Sequence, residues 1–200
     1  MITSHEMKIL ESSCGIPKSV LMENAGRSVY HIIKQRFDLK DKKILVVCYH
    51  GNNGGDGFTA ARYLAEFAET DILFIGNESK LKKEALANFK KVEHNDRIQF
   101  LNDEDVDFGE YDIIVDAILG IGIRGRINRE ISAVIDDINN SKAFKISVDM
   151  PTGIDPDTGE IVDKCVNSDL IVTFHDLKKG IEKLQEKVVV VDIGLPQIDR

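Results

Sequence analysis

The sequence predicts an α/β fold, a Rossmann-like three-layer αβα sandwich built on a mostly parallel, doubly wound sheet. Two observations support this prediction. Short apolar runs, typical of strands buried on both faces, alternate along the chain with longer stretches whose apolar residues recur at helical spacing. Glycine-rich stretches also follow two of the apolar runs, at the strand-to-helix junctions where such sheets bind ligands. We interpret residues 1–200 as one domain with an N-terminal helical segment at 3–36.

Composition excludes several classes of function. The chain has 200 residues, of which 42% are hydrophobic and 30% charged, with a formal net charge of −8 and no long block of Lys or Arg. An acidic chain of this kind is a poor partner for nucleic acid or anionic membranes. The N-terminus lacks a signal-peptide pattern, and no apolar stretch is long enough to span a membrane. Three widely spaced cysteines without a CxxC pair favour a reducing compartment, so we expect a cytoplasmic protein.

The first half of the chain contains two predicted helices, a strand and a glycine-rich turn. Residues 3–36 predict two helices around a break at 15–17, and the apolar run 44–48 predicts the first strand. Residues 51–57 hold four glycines together with Asn52, Asn53 and Asp56, and apolar residues then recur at helical spacing from Phe58. We predict a turn whose glycines permit positive φ angles and close approach of a ligand, with backbone N–H groups that face a phosphate. A Walker A loop is excluded because Phe58, before Thr59, stands where Lys is required.

The second half continues the alternation. Apolar runs predict strands at 71–75, 98–101, 111–119, 144–148, 170–174 and 188–192, and helices are predicted at 80–92 and around 131–138. Gly120, Gly122 and Gly125 form a G-x-G-x-x-G pattern between a strand and a helix. By itself this pattern would indicate a dinucleotide-binding fold, but it does not lie in the first strand–helix unit, where that fold carries it.

A third polar loop follows the strand at 144–148. Asp149, Pro151, Thr152 and Gly153 begin a turn at the carboxyl end of that strand. Because the carboxyl ends of parallel strands share one edge of the sheet, we expect this loop and the two glycine-rich stretches to converge. Farther along, Lys178 is a possible acid/base group, but it falls in a run that we interpret as ordinary surface lysines. Cys48, within an apolar run, is interpreted as a filler of the core rather than a nucleophile.

These loops resemble the YjeF N-terminal domain family, the NAD(P)H-hydrate epimerases. The resemblance is carried by Gly-Asn-Asn-Gly-Gly-Asp-Gly at 51–57 with Ala-Ala-Arg-x-Leu at 60–64, Asp-Ala-x-x-Gly-x-Gly at 116–122, Asp-x-Pro-Thr-Gly-x-Asp at 149–155, and the signature at 21–27. It extends from about 21 to 196. Tyr49 departs from the family, which usually has Gly there, so its side chain is expected to narrow the pocket or lie against the ligand. Lys179 replaces a frequent Pro.

The resemblance implies an isomerase that interconverts the R and S forms of hydrated NADH and NADPH (NADHX and NADPHX) at C6 of the nicotinamide ring. Asp149 is the implied acid/base group, since either breaking the C6–oxygen bond or opening the ring moves a proton to and from oxygen. Asp56 is a weaker candidate, because a helix start suits a capping role. The implied substrate-binding residues are Asn52, Asn53, Gly54, Gly55, Asp56, Gly120, Ile121, Gly122, Ile123, Arg124, Gly125, Arg126 and Asp149.

The resemblance also implies one K⁺ ion per subunit, held by Asn53, Asp116 and Thr152. Neutral oxygens with a single carboxylate suit a monovalent ion better than a divalent one. The residues alone favour a different interpretation, in which these groups hydrogen-bond each other and tie the loops together. We further expect a homodimer, with a separate NAD(P)HX dehydratase acting on the product, and no nucleic-acid or membrane partner.

Two alternatives of other classes remain open at this point. One is a non-catalytic nucleotide-binding or scaffold module of the same fold, since fold does not fix function. The intact set Asn53, Asp116 and Asp149 favours an enzyme over such a module. The other is an NAD-dependent dehydrogenase that uses the glycines of 120–125, which would change absorbance at the nicotinamide band with an oxidisable substrate.

Overall fold

The chain begins with two helices separated by a sharp break. The structure, a computed structural model, describes residues 1–102, 106–123 and 125–197. Helix α1 spans Ser4–Ser13 and is capped by Thr3, whose hydroxyl accepts from the Glu6 N–H (3.2 Å) while the Glu6 carboxylate accepts from the Thr3 N–H (2.7 Å). Gly15 then adopts a φ of +74°, and Pro17 immediately precedes α2 (Lys18–Arg36). The two predicted helices and their break are confirmed.

Seven strands follow the prediction to within two residues at each end. They are β1 Lys43–Cys48, β2 Glu69–Phe74, β3 Ile98–Leu101, β4 Ile113–Ala117, β5 Phe144–Val148, β6 Leu170–Phe174 and β7 Val188–Val191. Between them lie α3 Asn52–Leu64, α4 Lys83–Glu93 and α5 Arg129–Asn140, with 3-10 helices at Glu78–Lys80, Phe108–Glu110 and Lys179–Lys187. No helix in the described part of the chain is long and apolar enough to cross a membrane.

All strands join one sheet in the order β3-β2-β1-β4-β5-β6-β7, and every neighbouring pair is parallel. The order reverses direction between β1 and β4, which makes the sheet doubly wound, as predicted. A reversal of this kind leaves a crevice beyond the carboxyl ends of the two central strands. The polar loops of the sequence follow β1, β4 and β5, so they meet at this crevice.

Helices cover both faces of the sheet and complete the three predicted layers. On one face, α2, α3 and α4 pack against Ile44 and Val46 of β1. On the other, α5 packs against Leu45 and Val47 of the same strand. These four β1 residues are fully buried, as an apolar run covered on both sides must be. Cys48 is also fully buried, which confirms its interpretation as a core residue.

The glycine-rich stretch after β1 is helical, which corrects the predicted turn. Helix α3 begins at Asn52, immediately after Gly51, and contains Gly54, Gly55 and Gly57. Positive φ angles among the described glycines occur elsewhere, at Gly15, Gly125, Gly153, Gly159 and Gly194. The helix forms here because glycine lets α3 approach its neighbours closely: a Cβ at Gly54 would lie 1.8 Å from the Tyr49 carbonyl oxygen. Packing outweighs the low helix propensity of glycine.

Gly26 of α2 has the same role. A Cβ at this position would lie 2.4 Å from the Thr59 Cβ of α3 and 2.7 Å from the Asp56 carbonyl oxygen. The glycine of the 21–27 signature therefore lets α2 and α3 cross closely. Two residues earlier, the Asn24 side-chain amide donates to the Ile193 carbonyl oxygen (2.9 Å) and fixes the chain after β7. This part of the signature thus holds the helical layer together.

Candidate functional site

Asp149 follows β5 in a strained conformation at the crevice. Its φ of +64° lies in the left-handed region, which few non-glycine residues adopt and which is common at functional sites. The Asp149 N–H donates to the Val172 carbonyl (2.8 Å), and the Met150 N–H donates to the Val148 carbonyl (2.8 Å). These two bonds hold the turn at the carboxyl edge of the sheet. The Asp149 side chain is consequently almost buried there, with 6% of the residue exposed.

Lys178 is the partner of Asp149. Its Nζ lies 2.6 Å from Asp149 Oδ1 and also donates to Thr173 Oγ1 (3.0 Å) and the Phe174 carbonyl (2.7 Å). Lys178 is fully buried, so the interpretation of this residue as a surface lysine is wrong. A buried ammonium is stable only when its three donors are satisfied, as they are here. The pair fixes one oxygen of the Asp149 carboxylate.

The position of Lys178 depends on contacts that are distant in sequence. Residue Ile2, fully buried, forms an isolated parallel bridge with Lys178, and its N–H donates to the Leu177 carbonyl (2.9 Å). The next residue, Lys179, is exposed. Lys178 and Lys179 are chemically identical, so no local signal separates the buried one from the exposed one. Only the pairing with the N-terminal segment and with β6 turns Lys178 inward.

The second oxygen of Asp149 lies close to Gly120, as does the side-chain amide of Asn53. A Cβ at Gly120 would lie 3.2 Å from Asp149 Oδ2 and 3.1 Å from Asn53 Oδ1. Asn53 is buried, and neither its Oδ1 nor its Nδ2 has a hydrogen-bond partner among the described residues. A buried amide without partners is costly, so it indicates a missing ligand. The loops after β1, β4 and β5 therefore meet around one space, as the sequence predicted.

Asp116 ties the strand ends together. Its Oδ1 accepts from the Thr152 hydroxyl (2.6 Å), and its Oδ2 accepts from the Ser147 hydroxyl (2.7 Å) and the Thr152 N–H (2.9 Å). Thr152 Oγ1 in turn accepts from the Leu119 N–H (2.9 Å). Burial raises the pKa of the Asp116 carboxyl, and these hydrogen bonds oppose that rise. Asp116 and Thr152 thus hydrogen-bond each other and tie the loops together, as the interpretation from the residues alone expected. The Asn53 amide does not take part, because it has no hydrogen-bond partner among the described residues.

Two further carboxyl groups approach Asp149 from the helical layer. Asp56 of α3 and Glu11 of α1 are both half-buried. Burial raises the pKa of Asp56 well above its usual value, and the Asp149 and Glu11 carboxylates raise it further. Burial, followed by the Asp149 charge, also raises the pKa of Glu11. Glu11 carries no local signal in the sequence, because its helix shows only amphipathic packing and joins the site through tertiary contacts.

The second glycine-rich stretch lines a separate cavity next to this site. The cavity measures about 270 Å³ and is bounded by the stretch, the start of α5 and Tyr49. Gly122, Ile123, Gly125 and Arg126 line it, whereas Ile121 packs against the apolar core and Arg124 lies outside the described residues. Tyr49 thus forms part of the wall of this cavity.

The first turn of α3 contributes backbone donors. Gly51 precedes the helix and has no side chain that could cap it. The N–H groups of Asn52, Asn53 and Gly54 are therefore left without intrahelical partners, whereas the Gly55 N–H donates to the Gly51 carbonyl (3.2 Å). Asn52 is exposed at this end, and Gly54 and Gly55 are buried against protein. A helix start of this kind favours an anion such as phosphate.

A larger cavity, of about 750 Å³, lies between the loop after β5 and the 3-10 helix Lys179–Lys187. Its lining contains none of Asn53, Asp116, Asp149 or Lys178. Size alone does not make an active site, since buried charges and converging polar groups are required as well. We therefore place the candidate site at the crevice.

Comparison with known proteins identifies the relatives of this chain. The sequence pattern of the family described as YjeF-related protein N-terminus matches residues 18–180. The chain is 40% identical to the bifunctional NAD(P)H-hydrate repair enzyme Nnr of Archaeoglobus fulgidus, over 98% of this chain and 42% of that protein. It is 34% identical to the NAD(P)H-hydrate epimerase of Nitrosopumilus maritimus, over 98% of this chain and 95% of that protein. The chain thus spans about two fifths of the length of the bifunctional relatives.

A solved structure shares the fold. The crystal structure of yeast ynu0 superimposes with a TM-score of 0.86 at 23% identity, covering 100% of this chain and 90% of the yeast chain. This likeness shows the fold, and the match over residues 18–180 places the chain in the YjeF N-terminal family. The resemblance inferred from the three loops is confirmed.

Proposed function

We propose that this member of the YjeF N-terminal family interconverts the R and S forms of NADHX and NADPHX at C6 of the nicotinamide ring. Relatives that are 34–40% identical over 98% of the chain are named for the epimerisation or repair of NAD(P)H hydrates. The observation that carries the proposal is the buried Asp149–Lys178 pair facing the open Asn53 amide. That arrangement offers a proton-transferring group and a binding group at one space.

The proposed epimerisation at C6 requires acid–base catalysis and no redox step. Lys178 holds Asp149 Oδ1, so Asp149 Oδ2 is the oxygen directed at the space above Gly120. A carboxyl group in that position exchanges a proton with the oxygen on C6 during either bond breaking or ring opening. The Asn53 amide would hydrogen-bond the ligand, and the first N–H groups of α3 would bind its diphosphate. Arg126, beside the second cavity, would pair with phosphate as well.

The test offers the purified protein a mixture of hydrated NADH epimers and follows their interconversion by chromatography. We expect Asp149→Asn to keep the shape and lower kcat by roughly 10²–10⁴-fold, with a much smaller change in KM. Failure of the unmodified protein to interconvert the epimers would refute the proposed function. An Asp149→Asn variant that turns over normally when saturated would instead reduce Asp149 to a binding residue.

Lys178 and Lys179 provide a matched pair of variants. Lys178→Met leaves Asp149 buried without its counter-ion, so we expect a loss of about 3–5 kcal/mol in unfolding free energy and a large loss of activity. Lys179→Met changes an exposed neighbour and should stay within about 0.5 kcal/mol. Equal effects of the two substitutions, measured by urea unfolding and epimerase assay, would contradict the role given to the pair.

We also propose one K⁺ ion per subunit, held by Asn53, Asp116 and Thr152. The open, buried Asn53 Oδ1 fits such an ion, because K⁺ accepts neutral oxygen ligands. K⁺ would neutralise charge near the ligand. Replacing KCl by tetramethylammonium chloride at equal ionic strength should lower Tm, since an ion bound only by the folded state stabilises it. Asn53→Ala should abolish that difference; a difference that survives the substitution would remove Asn53 from the ligand set.

The proposed function extends to the oligomeric state and the partner of the protein. We propose a homodimer formed through the N-terminal helices, where Ile9 and Val20 are 51% and 44% exposed. Light scattering that gives a monomer mass across micromolar concentrations would refute it. We further propose that a NAD(P)HX dehydratase consumes the product and that the protein works in the cytoplasm. Adding such a dehydratase to the epimer mixture should lead to consumption of both epimers only when this chain is present.

A further inference from the structure

The reaction leaves a proton to be returned. If the C6–oxygen bond breaks, an acid donates a proton to the C6 hydroxyl, water departs with the bonding electron pair, and a C6=N1 double bond forms with positive charge on nitrogen. Water then adds to the opposite face of C6 and loses a proton to a base. Because donor and acceptor lie on different faces, each turnover moves one proton from donor to acceptor. The site must carry that proton back before the next turnover.

We propose that Asp56 and Glu11 form a proton relay between Asp149 and solvent, with Glu11 as its outer group. This inference rests on the proposed function. It assigns a part in the reaction to α1, outside the three loops that form the site. Glu11 acts through Asp56 and Asp149 and does not touch the substrate, so it is a positioning and proton-transferring residue rather than a catalytic one.

A small cavity connects the two carboxyl groups. It measures about 50 Å³ and is lined by Glu11 of α1, Asp56 of α3 and Asn52, with Lys18, Glu84 and apolar side chains around them. One or two water molecules fit a space of this size, next to the polar side chains that form part of its lining. No described residue donates a hydrogen bond to the Glu11 or Asp56 carboxyl group, so water is the available bridge between them.

The Asp149 charge acts on both carboxyl groups that line this cavity. The charges that act on Asp56 are Asp149, Glu11 and Lys178, and those that act on Glu11 are Asp149, Lys178, Lys18 and Lys8. Glu84 of α4 faces the same cavity. Burial raises the pKa of both carboxyl groups, and the Asp149 carboxylate adds to that rise. Lys178 and Lys18 limit that rise.

A second observation ties the acidic groups to a ligand. Asn53, one helical turn before Asp56, is 8% exposed, and its amide has no partner among the described residues. It shares the space above Gly120 with Asp149. The acidic groups thus adjoin a place where a polar ligand is missing, which distinguishes them from an ordinary acidic surface.

The test compares Glu11→Gln with Glu84→Gln, which changes a carboxylate that lines the same cavity but is not among the charges acting on Asp56. We expect Glu11→Gln to lower kcat roughly 10- to 100-fold in dilute buffer, at or below the range of a direct acid–base group, with KM unchanged. Raising the imidazole concentration should restore the rate, since a small buffer acid replaces a lost relay. Glu84→Gln should remain within about twofold and show no imidazole dependence.

Several outcomes would overturn the relay. An unchanged kcat in Glu11→Gln would do so, as would a loss that imidazole fails to restore, which would show that Glu11 has a structural role. The absence of ¹⁸O from labelled water in the epimerised product would remove the need for a relay. An unmodified protein that fails to epimerise would refute the proposed function itself, so the two failures are distinguishable.

Discussion

The two glycine-rich stretches differ in what their glycines do. In the stretch after β1, a Cβ would lie 1.8 Å from the Tyr49 carbonyl oxygen at Gly54, 2.6 Å from the Met22 side chain at Gly55 and 2.5 Å from the Ala117 Cβ at Gly57. In the stretch after β4, a Cβ at Gly122 or Gly125 would meet nothing within 4 Å. The first set allows protein to pack against protein, and the second leaves the wall of a cavity open.

This difference shows that glycine content at a strand-to-helix junction has two separate physical causes. In the first stretch the ligand-directed groups are the side chains and the first N–H groups of α3, and the glycines serve the fold. In the second stretch the glycines themselves make room. Gly120 stands between the two cases, because its missing Cβ keeps the Asn53 and Asp149 side chains free to face a ligand.

The largest expected effect compares Gly54→Ala with Gly122→Ala. A Cβ 1.8 Å from a backbone oxygen cannot be relieved by a side-chain rotation, so Gly54→Ala should lose more than about 4 kcal/mol in unfolding free energy or fail to fold. Gly122→Ala should remain within about 0.5 kcal/mol of the unmodified protein. Urea unfolding of both variants provides the measurement. Similar losses in the two would show that the comparison between the stretches is wrong.

An intermediate effect is expected for Gly120→Ala. Its Cβ would crowd Asn53 Oδ1 at 3.1 Å and Asp149 Oδ2 at 3.2 Å, which the side chains can relieve by moving a few tenths of an ångström. We expect epimerase kcat/KM to fall about 100-fold, with a loss of at most about 1 kcal/mol in stability. Gly122→Ala, assayed beside it, should raise KM a few-fold and leave kcat unchanged. A fully active Gly120→Ala protein would place the reaction elsewhere.

The smallest effect concerns Asp56, the residue of the first stretch that faces the acidic groups. Its pKa is raised in the folded state by burial, Asp149 and Glu11, so its ionisation destabilises the fold as pH rises from the usual Asp value of about 4 through the raised folded-state value. Asp56→Asn should therefore increase unfolding free energy by on the order of 1 kcal/mol at pH 8 and by nothing at pH 4. Denaturation at both pH values measures this.

Glu23 of α2 serves as the control of opposite sign. Burial would raise the pKa of Glu23, but hydrogen bonds from Tyr63 Oη (2.5 Å) and Arg62 Nη2 (2.7 Å) lower it overall. Its ionised form therefore stabilises the fold above the usual Glu pKa, and that contribution disappears as pH falls. Glu23→Gln should lose about 1 kcal/mol at pH 8, and progressively less as pH falls below the usual Glu pKa and through the lowered folded-state value. A loss of stability in Asp56→Asn at pH 8 would contradict the destabilising effect that we assign to the ionised Asp56 carboxylate.

The sequence by itself determined the order of elements and the edge of the sheet that carries the site. Apolar runs buried on both faces are typical of central parallel strands, and the shorter, partly exposed runs of the edge strands β3 and β7 were also located within two residues. Because the strands are parallel, the polar loops after β1, β4 and β5 had to share one edge. Asn53, Gly120 and Asp149 were identified because their loops carry specific motifs, and the structure brings them together above Gly120.

Only the tertiary structure decided which residues complete that edge. Lys178 is buried, and Lys179 beside it is exposed, because β5 and β6 place Asp149 within 2.6 Å of one lysine while Ile2 pairs with the same segment. The start of α3 at Asn52 and the approach of Glu11 have the same origin. Local propensity disfavours a helix of glycines and cannot distinguish one lysine from the next, whereas close packing and the pairing of buried charges act between residues that are far apart in the sequence.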